Sequence, residues 1–555
     1  MSVKYKTLFF VLITYISVFP QISFSSDELI FPQTFVHQTD SVSLKIFNQT
    51  DNAVSIEWSF AGNSERFSSG IHYVSVPQND SAEVFFRYSP IHNIEDKSSI
   101  FIYNIDTTIF AVIKLSGSGK FVDSYYNSTF NLYDTQLKQA LTTLTSGHTS
   151  LGYNSARDKM FMEIDNKKVN GQGALQNTLE CVYTGREAVG YTSRTDAQTN
   201  FSFNTEHSWP QSTFNQDEPM RSDLYHLFPT DETANGIRGN LPFGKVVSSA
   251  NWQVGGSKRG YDSTNQLVFE PRDVHKGNLA RGMFYFLTRY PQNYGGFFSA
   301  RQEKTFRQWN LSDTVDTAEM NRNNKIATFQ GKRNPYIDHP EFADRIYSFL
   351  GTARPSVYAA EVYPMILKFD STAVGDTSAM NLYIVNTGNS EMLINQLTVQ
   401  LSNFNVNTYD HSILPGMIGK INILFIPDTS IDYTSNITIN FNNQVLVAKL
   451  TGIGKTDISG VNVYDEKPAE FLLAQNYPNP FNPSTRIEFY TPKESSVQLL
   501  IYSITGQLIK TVVDENMERG FHQVNFNGEG FASGVYFYVL KSGNFYQSKS
   551  MLLLK

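Results

Sequence analysis

Asn204-Thr205-Glu206-His207-Ser208-Trp209-Pro210-Gln211-Ser212 opens the stretch that decides how this chain is read. It runs on through Ser222-Asp223-Leu224-Tyr225-His226-Leu227-Phe228-Pro229-Thr230-Asp231 and closes with Asn235-Gly236-Ile237-Arg238-Gly239-Asn240-Leu241-Pro242-Phe243-Gly244. A Glu-His pair, a second His, an Arg and three Asn are gathered here among aromatic and proline residues. A surface loop has no need of so many oriented polar groups, whereas a site that activates water beside a hard metal ion does.

The chemistry of the individual residues comes first. A neutral imidazole at His207 can take a proton from water. The Glu206 carboxylate and the Asn240 amide oxygen are hard donors suited to Mg²⁺, Ca²⁺ or Mn²⁺, and two such ligands leave coordination positions for water and phosphate oxygens. Neighbours on a strand point to opposite faces, so Glu206 and His207 are expected at a distorted strand end, with Trp209-Pro210 as the break. The separation of 33 positions from His207 to Asn240 leaves room for a second strand and the start of a helix. Taken alone, a His beside aromatics is commonly a hydrogen-bonded structural residue.

The wider pattern is more specific. Phe269-Glu270-Pro271-Arg272-Asp273, Lys276-Gly277-Asn278-Leu279-Ala280-Arg281 and Asn334-Pro335-Tyr336-Ile337-Asp338-His339-Pro340-Glu341 follow in order at short spacings. With the opening stretch they resemble the endonuclease I family of secreted bacterial nucleases, which carry a His-Me finger (ββα-metal) site. The resemblance covers about 134–349 and implies a metal-dependent endonuclease of low sequence specificity. DNA would be its substrate, with RNA also open, and the products would carry a 5′-phosphate. By resemblance His207 is the general base, Glu206 and Asn240 hold the divalent metal, and an Arg steadies the scissile phosphate. Arg281 and Arg238 are the first candidates for that Arg, with Arg221 behind them. Tyr225 stands where many relatives have His, which leaves it a packing role.

Other polar groups read as structural. Glu270, Arg272 and Asp273 are expected to form an ion network, and Asn334, Asp338 and His339 local hydrogen bonds in a proline-bounded turn. Lys245, Lys258, Arg259, Lys276, Arg289, Arg301, Lys304 and Arg307 form either a basic track for phosphates or a solvated face. Gly239 to Val246 nearly spells a phosphate-binding loop but lacks its final Ser/Thr.

The chain around this segment is expected to be multidomain. At 555 residues it exceeds one core, and its abundant Phe (42) and Tyr (30) with 17% charged residues point to β-rich modules. The central domain, 121–355, is read as α+β, with a helix opening near Gly277 and another between an Asp316-Thr317-Ala318-Glu319 capping box and Gly331. On either side, 28–120 and 356–456 are read as all-β immunoglobulin-like sandwiches, from short alternating runs between turn residues. They amount to an internal repeat: Lys114-Leu115-Ser116-Gly117-Ser118-Gly119-Lys120 is answered by Lys449-Leu450-Thr451-Gly452-Ile453-Gly454-Lys455. They loosely resemble the repeats related to ASPM, SPD-2 and hydin domains.

Lys4 and Lys6 before an apolar run from Leu8 to Val18, with Ser23-Phe24-Ser25 as a cleavage point, mark 1–25 as a secretory signal peptide. No later run is long enough for a membrane span. In 457–555, Leu473-Ala474-Gln475-Asn476-Tyr477-Pro478-Asn479-Pro480-Phe481-Asn482-Pro483, Ile501-Tyr502-Ser503-Ile504-Thr505-Gly506-Gln507 and Ser533-Gly534-Val535-Tyr536-Phe537-Tyr538 resemble the C-terminal sorting domain of type IX secretion. That resemblance implies export across an outer membrane by the type IX machinery. A secreted or surface-held monomer is expected. Its single Cys, Cys181, excludes an intramolecular disulfide, and a net charge of -7 argues against nonspecific coating of nucleic acid. Two other classes compete with the nuclease: a surface adhesion or structural protein with an inactive nuclease-like domain, and a phosphatase of small esters.

Overall fold

A computed structural model describes residues 16–19, 22–62, 64–104, 109–456, 471–473, 476, 481, 483–503, 507–543 and 545–553. Most of the expected signal peptide lies outside them, as do parts of the Asn476–Pro483 and Ile501–Gln507 motifs.

The two sandwiches share one topology. In the first, one sheet runs Ile22–Phe24, Asp40–Asn48, Asp80–Tyr88, Phe67–Ser69, with Ile16–Phe19 as an added edge strand. The other runs Glu28–Ile30, Ile109–Lys120, Glu95–Tyr103, Val54–Ala61, Tyr73–Val76. The second sandwich repeats this order with Ala360–Tyr363, Ser378–Asn386, Ile418–Phe425, Phe404–Tyr409 facing Ile366–Lys368, Gln444–Lys455, Asp432–Phe441, Met392–Val399, Ser412–Ile413. Period-two alternation puts Leu44, Ile46, Val84 and Phe86 into one core and Leu382, Ile384, Ile421 and Ile423 into the other.

The repeated glycines have a steric cause. A Cβ on Gly119 would lie 2.0 Å from the His92 carbonyl oxygen, and one on Gly454 would lie 2.1 Å from that of Thr429. Only glycine lets the backbones approach so closely. The first sandwich also starts earlier than expected. Ile22-Ser23-Phe24 pairs in register with Asn48-Phe47-Ile46, and Ile22 and Phe24 are buried in its core. The boundary at Glu28 is therefore corrected to Ile22 or before, and the Ser23-Phe24-Ser25 cleavage point would fall inside a buried strand. An apolar strand following an apolar leader carries no mark of the join.

The two sandwiches touch. Phe101 stacks on Tyr363 with ring centroids 4.3 Å apart, and Ala61 and Val385 are buried beside them. The nuclease domain joins the first sandwich through Arg345, which is buried and donates to Asn93 Oδ1, to the Thr129 carbonyl (2.7 Å) and to the Leu132 carbonyl. His339 stacks on Phe121 at 3.6 Å, so its role reaches beyond the local turn expected of it.

The central domain is α+β around one aromatic-rich core. Its expected helices form at Lys276–Arg289 and Thr317–Gln330, the latter ending at left-handed Gly331. Asp316 caps the second by accepting from Glu319 N at 2.7 Å, but the Glu319 side chain turns away to an arginine, so only half of the expected capping box forms. The C-terminal domain folds as two facing sheets around Val497, Leu499, Tyr538 and Leu540. No helix among the described residues is long and apolar enough to cross a membrane.

Candidate active site

Two strands and a helix carry the site. Strand β1 (Phe203–His207) pairs antiparallel with β2 (Leu227–Asp231), with Glu206 opposite Phe228 and His207 opposite Leu227. Helix α1 (Glu232–Arg238) follows at once, its N-terminus capped by Asp231, which accepts from Ala234 N at 2.7 Å. Asn240 stands two residues past α1. The strand and helix start expected between His207 and Asn240 are thus β2 and α1. The ladder stays regular through His207. The break comes after it, where Pro210 leads into a short helical turn, Gln211–Phe214.

Glu206 is buried. Its Oε1 accepts from the Tyr183 hydroxyl at 2.7 Å and meets Arg238 Nη1 at 3.1 Å, while Oε2 has no donor among the described residues. Burial raises its pKa from the ordinary value, with Arg238 and Tyr183 opposing the rise. A carboxylate so placed gains from a cation at its open oxygen.

His207 sits among other neighbours, the rings of Tyr153 and His226, each with its centroid 5.5 Å away. Its Nε2 lies 3.1 Å from the Arg221 carbonyl oxygen. A carbonyl only accepts, so Nε2 carries the proton and Nδ1 keeps the lone pair that a general base needs. Burial first, then repulsion from His226, Arg221 and Arg238, pushes the imidazole down to about 3. His207 is neutral at neutral pH.

Asn240 is exposed, and its Nδ2 donates to Ser212 Oγ at 3.2 Å. With the amide nitrogen so engaged, Oδ1 is the atom left to act as a ligand. One carboxylate oxygen and one amide oxygen, each freed by a partner on its other atom, are chemically suited to a hard divalent ion that keeps several waters.

The three arginines separate cleanly. Arg281 is fully buried in the helix Lys276–Arg289, where Nε and Nη2 grip Glu319 at 2.8 and 2.5 Å and Nη1 donates to Asn310 and to the Asp313 carbonyl. It has no hand free for a phosphate, and the expectation that it holds one is corrected. Arg238 belongs to the site but is also buried and committed. Besides Glu206 it donates to the carbonyls of His207 (3.1 Å), Ser208 (2.6 Å) and Gly239 (2.9 Å), clamping α1 to the end of β1. It is a positioning residue, not a phosphate ligand. Arg221 is the one with capacity. Its side chain is partly exposed beside His207, lies 4.3 Å from the Tyr153 ring centroid, and has no hydrogen-bond acceptor among the described residues.

Tyr183 and Ser212, which orient the two metal-ligand candidates, gave no sequence signal. Tyr225 packs, as expected, its hydroxyl donating to Asn323 Oδ1 and the Lys332 carbonyl, both at 2.8 Å. His226 is buried and donates to the Met220 carbonyl. The expected Glu270-Arg272-Asp273 network divides: Lys276 bridges Glu270 and Asp273, whereas Arg272 pairs with Glu180. Of the expected basic track, Lys276, Arg301 and Arg307 are already neutralised by acids.

Comparison with known proteins gives the family of the central domain. The endonuclease I family model matches 133–341. An extracellular ribonuclease of Bacillus amyloliquefaciens is 32% identical over 244 residues, covering 40% of this chain and 78% of that protein. The chain belongs to the endonuclease I family. A periplasmic deoxyribonuclease of Aeromonas hydrophila is 32% identical over 119 residues, covering 21% of this chain and 48% of that protein. A secretion system C-terminal sorting domain matches 475–554, and a HYDIN/CFA65/VesB-like Ig-like domain matches 361–454. This endonuclease I protein is therefore a multidomain endonuclease, secreted or held at the cell surface, with a nucleic-acid substrate. Nucleases of the family are in general metal-dependent.

Proposed function

We propose that this enzyme hydrolyses phosphodiester bonds in DNA, and in RNA, with little sequence preference, using Mg²⁺ or a similar divalent ion. The observation that carries the reading is the division of labour at the end of β1. His207 keeps a free Nδ1 lone pair there, while Glu206 next to it keeps a free carboxylate oxygen. Glu206 Oε2 and Asn240 Oδ1 are the ligands, and the bound ion supplies Lewis-acid stabilisation of charge on the phosphate and the leaving oxygen. His207 Nδ1 takes a proton from the attacking water, and Nε2–H against the Arg221 carbonyl fixes the ring and its tautomer. Arg221 binds a non-bridging oxygen of the scissile phosphate. Departure of the 3′ oxygen leaves a 5′-phosphate. The relatives named as a ribonuclease and a deoxyribonuclease support both substrate classes.

The test is nicking of a closed circular plasmid and cleavage of a single-stranded RNA with Mg²⁺ present. Both are expected to proceed, to stop with EDTA, and to need more Mg²⁺ in Asn240→Ala. An intact circle at every Mg²⁺ concentration, or cleavage indifferent to EDTA, overturns the reading. It would return the chain to the class of adhesion proteins with an inactive nuclease domain.

A further inference from the structure

Arg221 is not the only free guanidinium near His207. The helix Tyr153–Lys159 sets Tyr153 against the His207 ring. Two guanidiniums rest on that tyrosine, Arg221 at 4.3 Å and Arg157 at 4.1 Å from its ring centroid. Both are partly exposed, and neither meets a carboxylate among the described residues. Arg157 donates only to the Asn154 amide oxygen, at 2.7 Å, and the Nε of each arginine is buried without an acceptor among the described residues.

Several arginines of comparable exposure elsewhere in the domain are paired with acids. Arg194 pairs with Asp158, Arg272 with Glu180 and Arg333 with Asp338. Arg259 and Arg289 lack a carboxylate among the described residues too, but Arg289 donates to His148, and only Arg157 and Arg221 share a ring that packs on the general base. Like charges drawn to one aromatic ring repel each other, and cation–π attraction of about 0.5–2 kcal/mol offsets only part of that. An arriving anion supplies the rest. Adjacent phosphates of a nucleic-acid strand bring two anions at short spacing, one for each guanidinium.

We propose that Arg157, carried on Tyr153, forms a second phosphate subsite that holds the phosphodiester neighbouring the one bound by Arg221. The proposal rests on the nuclease reading and extends it to substrate recognition. Arg157 acts in binding rather than in the chemical step, so the enzyme favours strands in which the scissile phosphate has a charged neighbour.

The experiment uses the full chain with His207→Ala as a non-cleaving background and follows binding of a labelled single-stranded 12-nucleotide DNA by fluorescence anisotropy across a salt series with Mg²⁺. Adding Arg157→Gln is expected to weaken binding about tenfold and to flatten the log K against log salt slope by about 0.7, the value for one lost phosphate contact on a single strand. Arg157→Lys should restore the slope. In the cleaving enzyme Arg157→Gln should raise KM and leave kcat within about twofold, whereas loss of packing under His207 would lower kcat. Unchanged affinity and slope in Arg157→Gln overturn the subsite, as does a fall in kcat with KM unmoved. Failure of the nuclease reading shows elsewhere, as a wild-type enzyme that leaves the plasmid uncut, and it takes the subsite down with it.

Discussion

The nuclease core and the sandwich cores are built on opposite terms. Among the described residues, neither immunoglobulin-like sandwich buries a charged side chain; their buried polar residues are Ser, Thr and Asn. The nuclease domain buries Glu206, Asp223, Arg238, Arg281, Glu319 and Arg322, with His207, His226 and His275 among them. Burial of apolar area is non-directional, so it can be copied along a chain, and the sandwiches are copies. Buried charge is directional: each group needs a partner in one geometry. The nuclease domain accepts that cost because a free carboxylate oxygen and a free imidazole nitrogen hold their positions only when their other atoms are gripped, as Tyr183 and Arg238 grip Glu206 and the Arg221 carbonyl grips His207.

The sharpest way to break the contrast is to remove its centre. His207→Ala should lower plasmid nicking about 10²–10⁴-fold while the sandwiches and the nuclease fold persist by circular dichroism; near-normal nicking would show that the oriented core serves no catalysis. Next in size, Arg281→Met leaves Glu319 buried without its partner and should cost the nuclease domain about 3–5 kcal/mol in denaturant unfolding. Arg281→Met with Glu319→Leu should recover much of that loss, and the sandwich transitions should stay in place.

A pH series sharpens the same point. His148, His207, His226 and His275 all have pKa values lowered chiefly by burial, His275 to about 3. The unfolded chain, with histidine near its ordinary 6.5, takes up protons that the folded domain refuses. Stability is therefore full above about pH 6.5 and is lost as pH falls from there toward 3. For His275 alone the loss reaches about 2 kcal/mol by pH 5. Calorimetry at pH 7 and pH 5 should show the nuclease transition falling; an unmoved transition would contradict the buried neutral imidazoles.

The smallest effect tests the copy itself. Asn48 donates to the Val76 carbonyl and accepts from Thr50 N, and Asn386 donates to the Ile413 carbonyl and accepts from Gly388 N. Asn48→Ala and Asn386→Ala should each cost their own sandwich about 1–3 kcal/mol, by similar amounts. A cost in one and none in the other would break the repeat as an energetic unit.

What the sequence revealed follows the same division. Alternation in Leu44 to Phe47 and Leu382 to Val385 reads directly as sandwich because each residue faces either the core or the solvent. Glu206, His207 and Asn240 were nominated by resemblance to one family, and the fold sets the first two at the end of one strand and the third just past the helix that follows its partner strand. The roles of the arginines were not legible. Arg281 is taken out of contention by Glu319, 38 positions away, and Arg238 by backbone carbonyls of its own motif. Whether a guanidinium is free depends on partners that only folding assembles. The same holds for Tyr183, whose grip on Glu206 spans 23 positions.

The stack of Phe101 on Tyr363 has a mechanical consequence. It bridges the two sandwiches directly, so a pull transmitted from the C-terminal domain meets a shortcut around the catalytic domain. Tension would load the aromatic clasp first, and the strand that carries His207 would stay slack until the clasp gave way.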